Sequence, residues 1–566
     1  MTNFKDMKYE RPNFEELLKK GLELTEKIKN ADSFEESLKS YMEIDKMGSY
    51  VATMGSLCTV RHTINTKDEF YKAENDILDE KMPMLQEVMA NTARAVVEGK
   101  YKEDYKNKFG KHLIEKYEIS LKTFKPEIVE DLIEENKLST EYEVLIASAE
   151  IEFDGNTYNL AGLGPFQQSK DRETRRRAND ASWGWLAQNQ DKLDEIYDKL
   201  VKVRTRIGKK LGFDNFIPVA YARMGRTDWD MEDARVYRKQ IAESVVPFAQ
   251  ELYLEQSKRL GIEDMKNFDY NLEFLSGNPK PLGDESYLVP KALKMYRELS
   301  AETGEFFQMM VDNELMDLTT KPGKRGGGYM TSFPDYGAPF IFSNFNGTSG
   351  DVDVLTHEAG HAFNGYLQKD VSPRDLMDMT MEVAEIHSMS MEFFTHPWMS
   401  EFFGEDTEKY YYAHVCDAIK FLPYGSSVDE FQEWVYLNPD KTPEERRAKY
   451  RELEHKYLPH LDYNGFEYLE NGGRWQKQAH IYSMPFYYLD YTLAQVCAFQ
   501  YFVWDMENHK EAWESYLNCS RRAGFVPFKE LLKECNLKSP FEAGCIDSVL
   551  PGLKKFLSSL DMDKTK

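Results

Sequence analysis

The sequence has few cysteines, and those it has are widely separated. Six occur among 566 residues, and no two form a C-x-x-C pair. A disulfide framework and a thiolate metal site both need closely spaced cysteines, so the sequence predicts neither. We expect buried thiols outside any disulfide at all six positions: Cys58, Cys416, Cys497, Cys519, Cys535 and Cys545.

Long apolar runs and an excess of positive charge are also missing. No segment approaches the roughly 18 apolar residues of a membrane span, and the N-terminal stretch has no signal-peptide pattern. Lysine and arginine number 72 against 97 aspartates and glutamates, which gives a net charge of −25. Such a charge repels phosphate backbones and anionic lipids. We therefore expect a cytoplasmic protein with neither nucleic acid nor a membrane as partner.

Most of the chain shows helical periodicity. In FEELLKKGLELTEKIKN, residues 14–30, apolar residues recur at three- and four-residue spacing between charges. Two segments depart from this pattern. Alternation on both sides of Asp154-Gly155 predicts a hairpin near 143–164, and the aromatic stretch 329–345 carries two prolines, as an edge strand does. The predicted fold class is therefore mainly α with a little β.

The stretch DVLTHEAGHAF, residues 353–363, contains the pattern H-E-x-x-H. Capping residues before it and an apolar face within it predict a helix over 351–368. On that helix His357 and His361 lie about 40° apart, and Glu358 falls within the same arc of about 100°. Two histidines can then bind a metal while Glu358 reaches a water on it. The alternative is an amphipathic helix with surface histidines.

A catalytic zinc needs a third protein ligand and an open position. Metzincins take a histidine six residues after the second one, where this chain has Leu367, so that family is excluded. The helix predicted over 379–394 carries Glu382, Glu385 and Glu392 among largely apolar residues. Carboxylates in such surroundings favour a cation. Spacing alone leaves both Glu382 and Glu385 open as the third ligand.

A third segment, HIYSMPFYYLDYTLAQ, combines a histidine with several tyrosines. On a continuous helix, Tyr487 and Tyr491 share a face with His480, and Tyr488 lies beside them. Hydrogen-bond donors clustered in this way can bind an oxyanion. Aromatic core packing is the alternative for any single tyrosine.

These segments, together with GGYMTSFPDYGAPFIFSNFNGTSG before the histidine motif, resemble the thimet oligopeptidase and oligoendopeptidase F family of zinc metallopeptidases. The resemblance is strong across residues 326–500. It implies a mainly helical, two-lobed body around a deep channel that admits short, unfolded peptides. We accordingly expect an N-terminal lobe over 1–200 and a catalytic lobe over 201–566, with one zinc ion per chain.

The resemblance also implies roles for individual residues. The family's third ligand is a glutamate that precedes a serine by three residues and another glutamate by seven, which selects Glu385 to join His357 and His361. Glu392 would then hydrogen-bond a zinc-bound histidine. A histidine and tyrosines of the third segment stabilise the tetrahedral intermediate in that family.

The resemblance favours Tyr491, acting with His480, as a donor to this intermediate. Its partner remains open between Tyr487 and Tyr488. In the strand segment, Gly328 and Tyr329 are candidates for binding substrate, because a glycine lets extended peptide approach the strand edge.

The predicted function is a zinc-dependent metalloendopeptidase that hydrolyses internal bonds of short oligopeptides, with Glu358 as general base. One alternative is a zinc carboxypeptidase or dipeptidyl carboxypeptidase on a similar scaffold. Cleavage of a peptide blocked at both ends separates these activities. The second alternative is a non-catalytic peptide-binding protein, which an open three-ligand site with Glu358 beside it argues against.

Overall fold

The computed structural model describes residues 2–321 and 323–561, and most of them are helical. The prediction of a mainly α fold is confirmed. The α-helices are α1 Phe14–Asn30, α2 Phe34–Ile64, α3 Glu69–Lys81, α4 Gln86–Val97, α5 Lys102–Phe109, α6 Lys111–Ser120, α7 Val129–Ala147, α8 Gly164–Gln167, α9 Arg172–Gln188, α10 Gln190–Leu211, α11 Ile217–Arg223, α12 Met231–Gln240, α13 Val246–Leu260, α14 Glu285–Leu299, α15 Ala301–Asp312, α16 Gly350–Leu367, α17 Met381–Phe394, α18 Ser400–Phe403, α19 Thr407–Leu437, α20 Pro443–Tyr457, α21 Glu467–Glu470, α22 Ala479–Ser483, α23 Tyr488–Arg522, α24 Phe528–Glu534 and α25 Cys545–Ser559.

Helix α1 shows how local sequence produces these elements. The Asn13 side chain accepts a hydrogen bond from the backbone N–H of Glu16, which satisfies one donor that the first turn leaves open. Its buried residues recur at helical spacing and form one face: Phe14, Gly21, Leu24, Thr25 and Ile28. Charged residues cover the opposite face, so burial of one stripe stabilises the helix in its place.

The predicted hairpin exists, but it is shorter than expected. Strands β1 (Ile151–Phe153) and β2 (Asn156–Tyr158) pair antiparallel around Asp154 and Gly155, which both have positive φ. Residues 143–147 instead end helix α7. The helical hydrogen-bond ladder continues through them to the N–H of Ser148, which bonds the carbonyl of Val144.

The segment 329–345 forms two strands, and the expectation of a single edge strand is wrong for its second half. Strand β4 (Tyr329–Phe333) pairs antiparallel with β5 (Ala338–Phe345), and β3 (Met316–Thr319) pairs parallel with the other side of β5. The order β3-β5-β4 makes β5 central and almost fully buried. Pro334 begins the turn that follows β4, whereas Pro339 is the second residue of β5 and pairs with Ser332 at the end of the ladder next to the turn.

The chain divides into two compact units, each built from separate stretches of sequence. The first unit comprises the segment ending at Lys122 together with Lys280–Gly404 and Gln500–Leu537. The second unit comprises Thr123–Pro279, Glu405–Phe499 and the segment from Lys538 onward. The assignment of an N-terminal lobe to residues 1–200 and a catalytic lobe to residues 201–566 stays a prediction.

The structure shows the surroundings of the cysteines and the length and apolar character of the helices. Within the described residues, all six cysteines are buried thiols outside any disulfide, as predicted. Among the helices of those residues, none is long and apolar enough to span a membrane.

Candidate active site

Helix α16 carries the H-E-x-x-H motif and begins one residue before the predicted helix. The Asp351 carboxylate accepts hydrogen bonds from the backbone N–H groups of Asn346, at 2.9 Å, and Gly347, at 2.8 Å. These bonds hold the preceding loop against the first turn. The apolar face is fully buried: Val352, Leu355, Ala359, Ala362 and Phe363. Its burial fixes the rotation of the helix and therefore the direction of the two histidines.

Helix α17 crosses α16 at Gly360. A Cβ added at Gly360 would lie 2.6 Å from the carbonyl oxygen of His387 and 2.7 Å from the Cα of Ser388. Such distances are shorter than any real Cβ contact, so only glycine permits the two backbones to come this close. The close crossing brings the Glu385 side chain of α17 toward the histidines of α16.

His357, His361 and Glu385 meet as a cluster of metal-ligand atoms, all within 4.8 Å of one another. Glu385 Oε2 lies 3.3 Å from Nε2 of His357 and 3.5 Å from Nε2 of His361. Within residues 2–321 and 323–561, no second group of this kind is found, and Glu382 is not part of this one. Two imidazoles and one carboxylate form the donor set of a catalytic zinc site with an open position, so these residues fit a divalent metal ion.

Glu392 contacts the other ring nitrogen of His357. Its Oε1 lies 2.6 Å from Nδ1 of His357, at hydrogen-bond distance. An ionised carboxylate only accepts hydrogen bonds, so the Nδ1–H donates to Glu392. The contact orients the ring with Nε2 toward Glu385, the orientation that a metal ligand at Nε2 requires.

Ser388 holds the Glu385 carboxylate from the other side. Its hydroxyl Oγ lies 2.9 Å from Oε2 of Glu385 and 3.1 Å from the backbone carbonyl oxygen of the same residue. Both Glu385 and Ser388 are buried. Sequence reasoning used Ser388 only to recognise the motif and missed this contact, although the three-residue spacing on a helix signals it.

Burial and neighbouring charges together shift the pKa values of the cluster, and the direction differs between residues. Burial raises the pKa of Glu358 and outweighs the attraction of the two histidines. Burial also opposes ionisation of Glu385, but hydrogen bonds from His357 and His361 lower its pKa below the ordinary value. For His357, burial lowers the pKa, and the contacts with Glu385 and Glu392 more than reverse that effect. The carboxylates thus favour positive charge where a cation would bind.

Gly328, the residue before strand β4, lies beside Glu358. A Cβ at Gly328 would lie 3.2 Å from Cγ1 of Val354 and 3.8 Å from Oε1 of Glu358. Glycine therefore leaves the space next to this carboxylate open. Tyr329 is held by a hydrogen bond and by packing. Its hydroxyl lies 2.6 Å from Oγ1 of Thr63, and its ring stacks on Phe342.

The four aromatic candidates of the third segment also meet, although not on one continuous helix. The expectation of a continuous helix is wrong: α22 ends at Ser483 and α23 begins at Tyr488. Pro485 and the positive φ of Phe486 interrupt the helical conformation between them. The proline was the signal for this break.

The break does not disperse the cluster. The ring centroid of His480 lies 5.4 Å from that of Tyr487, 5.1 Å from that of Tyr488 and 5.8 Å from that of Tyr491. Burial raises the pKa of Tyr488 well above its ordinary value, so its phenol stays protonated. The predicted site residues therefore form two groups, the metal-ligand group in the first unit and this aromatic group in the second.

Comparison with known families agrees with this fold and donor set. Residues 4–124 match the Peptidase M3 N-terminal domain, and residues 166–549 match Peptidase family M3. The chain belongs to peptidase family M3, whose members are metallopeptidases. The resemblance inferred from the three motifs is confirmed.

Individual relatives extend the likeness to the whole chain. An X-ray structure described as a proposed oligoendopeptidase F is 48% identical with a TM-score of 0.95, covering 100% of both chains. PZ peptidase A, in a structure with an inhibitor, is 49% identical with a TM-score of 0.94, covering 99% of this chain and 100% of that one. Group B oligopeptidase PepB of Streptococcus agalactiae is 25% identical over 275 residues, 46% of this chain and 44% of PepB. Alignments with the curated relatives span 44% to 61% of those proteins' length.

Proposed function

We propose that this chain is a metal-dependent endopeptidase that hydrolyses internal peptide bonds of short, unfolded oligopeptides. One observation carries the proposal: in an M3 chain, His357, His361 and Glu385 present their ligand atoms within 4.8 Å of one another, on helices that also place Glu358 beside them. A structural metal site would use four protein ligands, whereas this group leaves a position for a reactant. The cytoplasmic location and the exclusion of nucleic acid stay predictions from composition.

His357, His361 and Glu385 would hold one Zn²⁺ per chain. When bound, such an ion supplies Lewis acidity, which polarises a substrate carbonyl and makes a water more acidic. The chain's own part is to hold the ligands in place. Glu392 orients the His357 ring through Nδ1, and Ser388 donates to the Glu385 carboxylate.

Glu358 would act as the general base. Its carboxylate takes one proton from the water that attacks the scissile carbonyl carbon, and a C–O bond forms. The same carboxyl group then donates this proton to the leaving nitrogen as the C–N bond breaks, which returns Glu358 to its starting state. The opening at Gly328 leaves space beside Oε1 for the reacting groups.

His480 and Tyr491 would donate hydrogen bonds to the oxyanion that develops on the former carbonyl oxygen. Each good donor of this type contributes about 3–4 kcal/mol in other proteases. The proximity of the His480 ring to those of Tyr487, Tyr488 and Tyr491 supports a shared role for this group. Which of Tyr487 and Tyr488 assists Tyr491 can be decided by separate phenylalanine substitutions.

Strand β4 would bind the extended substrate backbone. It is the outer strand of the order β3-β5-β4, and its residues 329–332 are only partly buried. A peptide could add to the sheet through backbone hydrogen bonds, with Gly328 and Tyr329 at the start of that edge.

The function is tested with peptides of graded length that are blocked at both ends. We expect cleavage at internal bonds of the shorter peptides by metal-replete protein, since an endopeptidase needs no free terminus. A second set of the same peptides carries a free carboxyl end, and cleavage of this set alone would favour the carboxypeptidase alternative. Cleavage of no peptide in either set would contradict a peptidase of either kind.

The role of Glu358 is tested by Glu358→Gln. The amide has the same shape but cannot take a proton, so we expect kcat to fall by about 100- to 10,000-fold. Metal content, measured by elemental analysis, should stay at the wild-type level. Retained hydrolysis by the metal-loaded variant would overturn the assignment.

A further inference from the structure

Gln478 connects the His480 ring to a buried phenol in the second unit. Its side-chain Nε2 lies 2.7 Å from Nδ1 of His480. At the other end of the same amide, the hydroxyl of Tyr424 donates to Oε1 of Gln478 over 2.8 Å. Burial raises the pKa of Tyr424 to about 12, so the phenol keeps its proton and remains a donor at neutral pH.

This chain of contacts determines which ring nitrogen of His480 carries the proton. In the structure the Tyr424 hydroxyl donates to Oε1, so the amide directs its NH₂ group toward His480. An NH₂ group only donates, so Nδ1 must offer a lone pair. The proton of the neutral ring then sits on Nε2.

The backbone around Gln478 holds the amide in place. Its own N–H donates to the carbonyl of Trp475 at 2.9 Å, and its carbonyl accepts from the N–H of Ile481 at 3.1 Å. The buried Arg204 guanidinium donates to the carbonyl of Ile481 at 3.3 Å. These bonds fix both ends of the short segment that carries Gln478 and His480.

His357 and His480 have opposite partners at Nδ1. A carboxylate, Glu392, faces Nδ1 of His357 and keeps the proton there, which leaves the Nε2 lone pair for a metal. An amide NH₂ faces Nδ1 of His480 and moves the proton to Nε2. A metal ligand needs a lone pair at Nε2, whereas a donor to an oxyanion needs a hydrogen there. Each partner matches the task of its histidine.

We propose that Gln478 is a positioning residue that holds His480 as the neutral Nε2–H tautomer, so that Nε2 is its hydrogen-bond donor, with Tyr424 fixing the amide orientation. The inference rests on the proposed role of His480 in stabilising the oxyanion. It adds the physical cause of the ring's donor state, and it assigns functions to Gln478 and Tyr424, neither of which contacts substrate in this scheme.

The tautomer is measured directly by ¹⁵N NMR of protein labelled at histidine, with His480→Gln used to identify the resonances. We expect the wild type to show a proton on Nε2 and none on Nδ1 at neutral pH. Gln478→Glu places an acceptor at Nδ1, so the variant should carry a proton on that nitrogen. Tyr424→Phe frees the amide to turn over, so a mixture of both tautomers is expected.

The consequence for catalysis is measured in parallel. We expect Gln478→Glu to lower kcat by about tenfold or more, with KM changed less than about twofold, because the lost donor acts on the transition state. The chain supplies a matched control, since Gln250 Nε2 lies 3.3 Å from Nδ1 of His460 in the same unit. Gln250→Glu should leave kcat within about twofold of the wild type.

The outcomes separate this inference from the proposed function. A wild-type spectrum with the proton on Nδ1, or a tautomer that neither Gln478→Glu nor Tyr424→Phe changes, would overturn it. Equal losses of kcat in Gln478→Glu and Gln250→Glu would also count against it. If the spectra change as expected while His480→Gln keeps full activity, then Gln478 does position the His480 ring, and the proposed oxyanion role of His480 is wrong.

Discussion

At the scale of single residues, one carboxylate oxygen organises the candidate metal centre. Oε2 of Glu385 faces Nε2 of His357, Nε2 of His361 and the hydroxyl of Ser388. A buried carboxylate has few rotamers that satisfy all three neighbours, so the hydroxyl holds the ligand in position before a metal binds.

This contact predicts the effect of Ser388→Ala. Loss of the hydroxyl removes one hydrogen bond to the ligand carboxylate, and we expect zinc affinity to fall by about tenfold or more. Competition with a chromophoric chelator measures the change. Ser390→Ala is the matched control: it removes another fully buried serine from the same helix, and the Ser390 hydroxyl has no hydrogen-bond partner among the described residues. Equal affinity losses in the two variants would contradict a specific role for Ser388.

At the scale of elements, the crossing of α16 and α17 creates the site. The spacing of His357 and His361 is a local property of one helix, whereas Glu385 reaches them only because Gly360 lets the helices touch. The small sheet contributes its outer strand β4. Gly328, the residue that precedes this strand, lies beside Glu358.

Gly360→Ala tests the crossing. The added methyl group would meet backbone atoms at 2.6 and 2.7 Å, so the helices must separate. We expect a loss of about 1–3 kcal/mol in the free energy of unfolding and a weaker metal site. Chemical denaturation and chelator competition measure the two effects.

Helix α16 contains the control for this variant. Gly365 has no neighbouring atom within 4 Å of an added Cβ, so Gly365→Ala should leave zinc affinity unchanged and stabilise the helix by roughly 0.5–1 kcal/mol. If Gly360→Ala behaved like Gly365→Ala, the close crossing would not be what positions Glu385.

At the scale of the whole molecule, the metal-ligand group joins helices that are themselves packed into the first unit. An ion that binds only the folded chain stabilises it by mass action, by about 2.7 kcal/mol when its free concentration is 100 times Kd. The six buried thiols form no disulfide to replace such a contribution.

Metal removal should therefore lower Tm. We expect a chelator to shift the unfolding transition of the wild type to lower temperature in a calorimetric scan, and added zinc to restore it. His357→Ala lacks one ligand, so the chelator should barely move its transition. An equal shift in both proteins would show that the stabilising ion binds elsewhere.

Much of the fold and of the metal-ligand group can be predicted from the sequence. Helical periodicity predicts the mainly α fold, and the H-E-x-x-H spacing places His357, Glu358 and His361 on one side of α16, because backbone geometry within an element is local. Pro485 signals the break between α22 and α23. Motif resemblance, rather than spacing, selects Glu385 over Glu382.

The remaining features depend on contacts between residues far apart in sequence. Strand β5 is central because β3 pairs with its second side, and the sequence of β5 alone does not show that partner. Gln478 contacts Tyr424, 54 residues earlier, and that contact sets the proton on His480. Local sequence determines the direction of a side chain within its own helix, whereas packing between elements decides which atoms it meets.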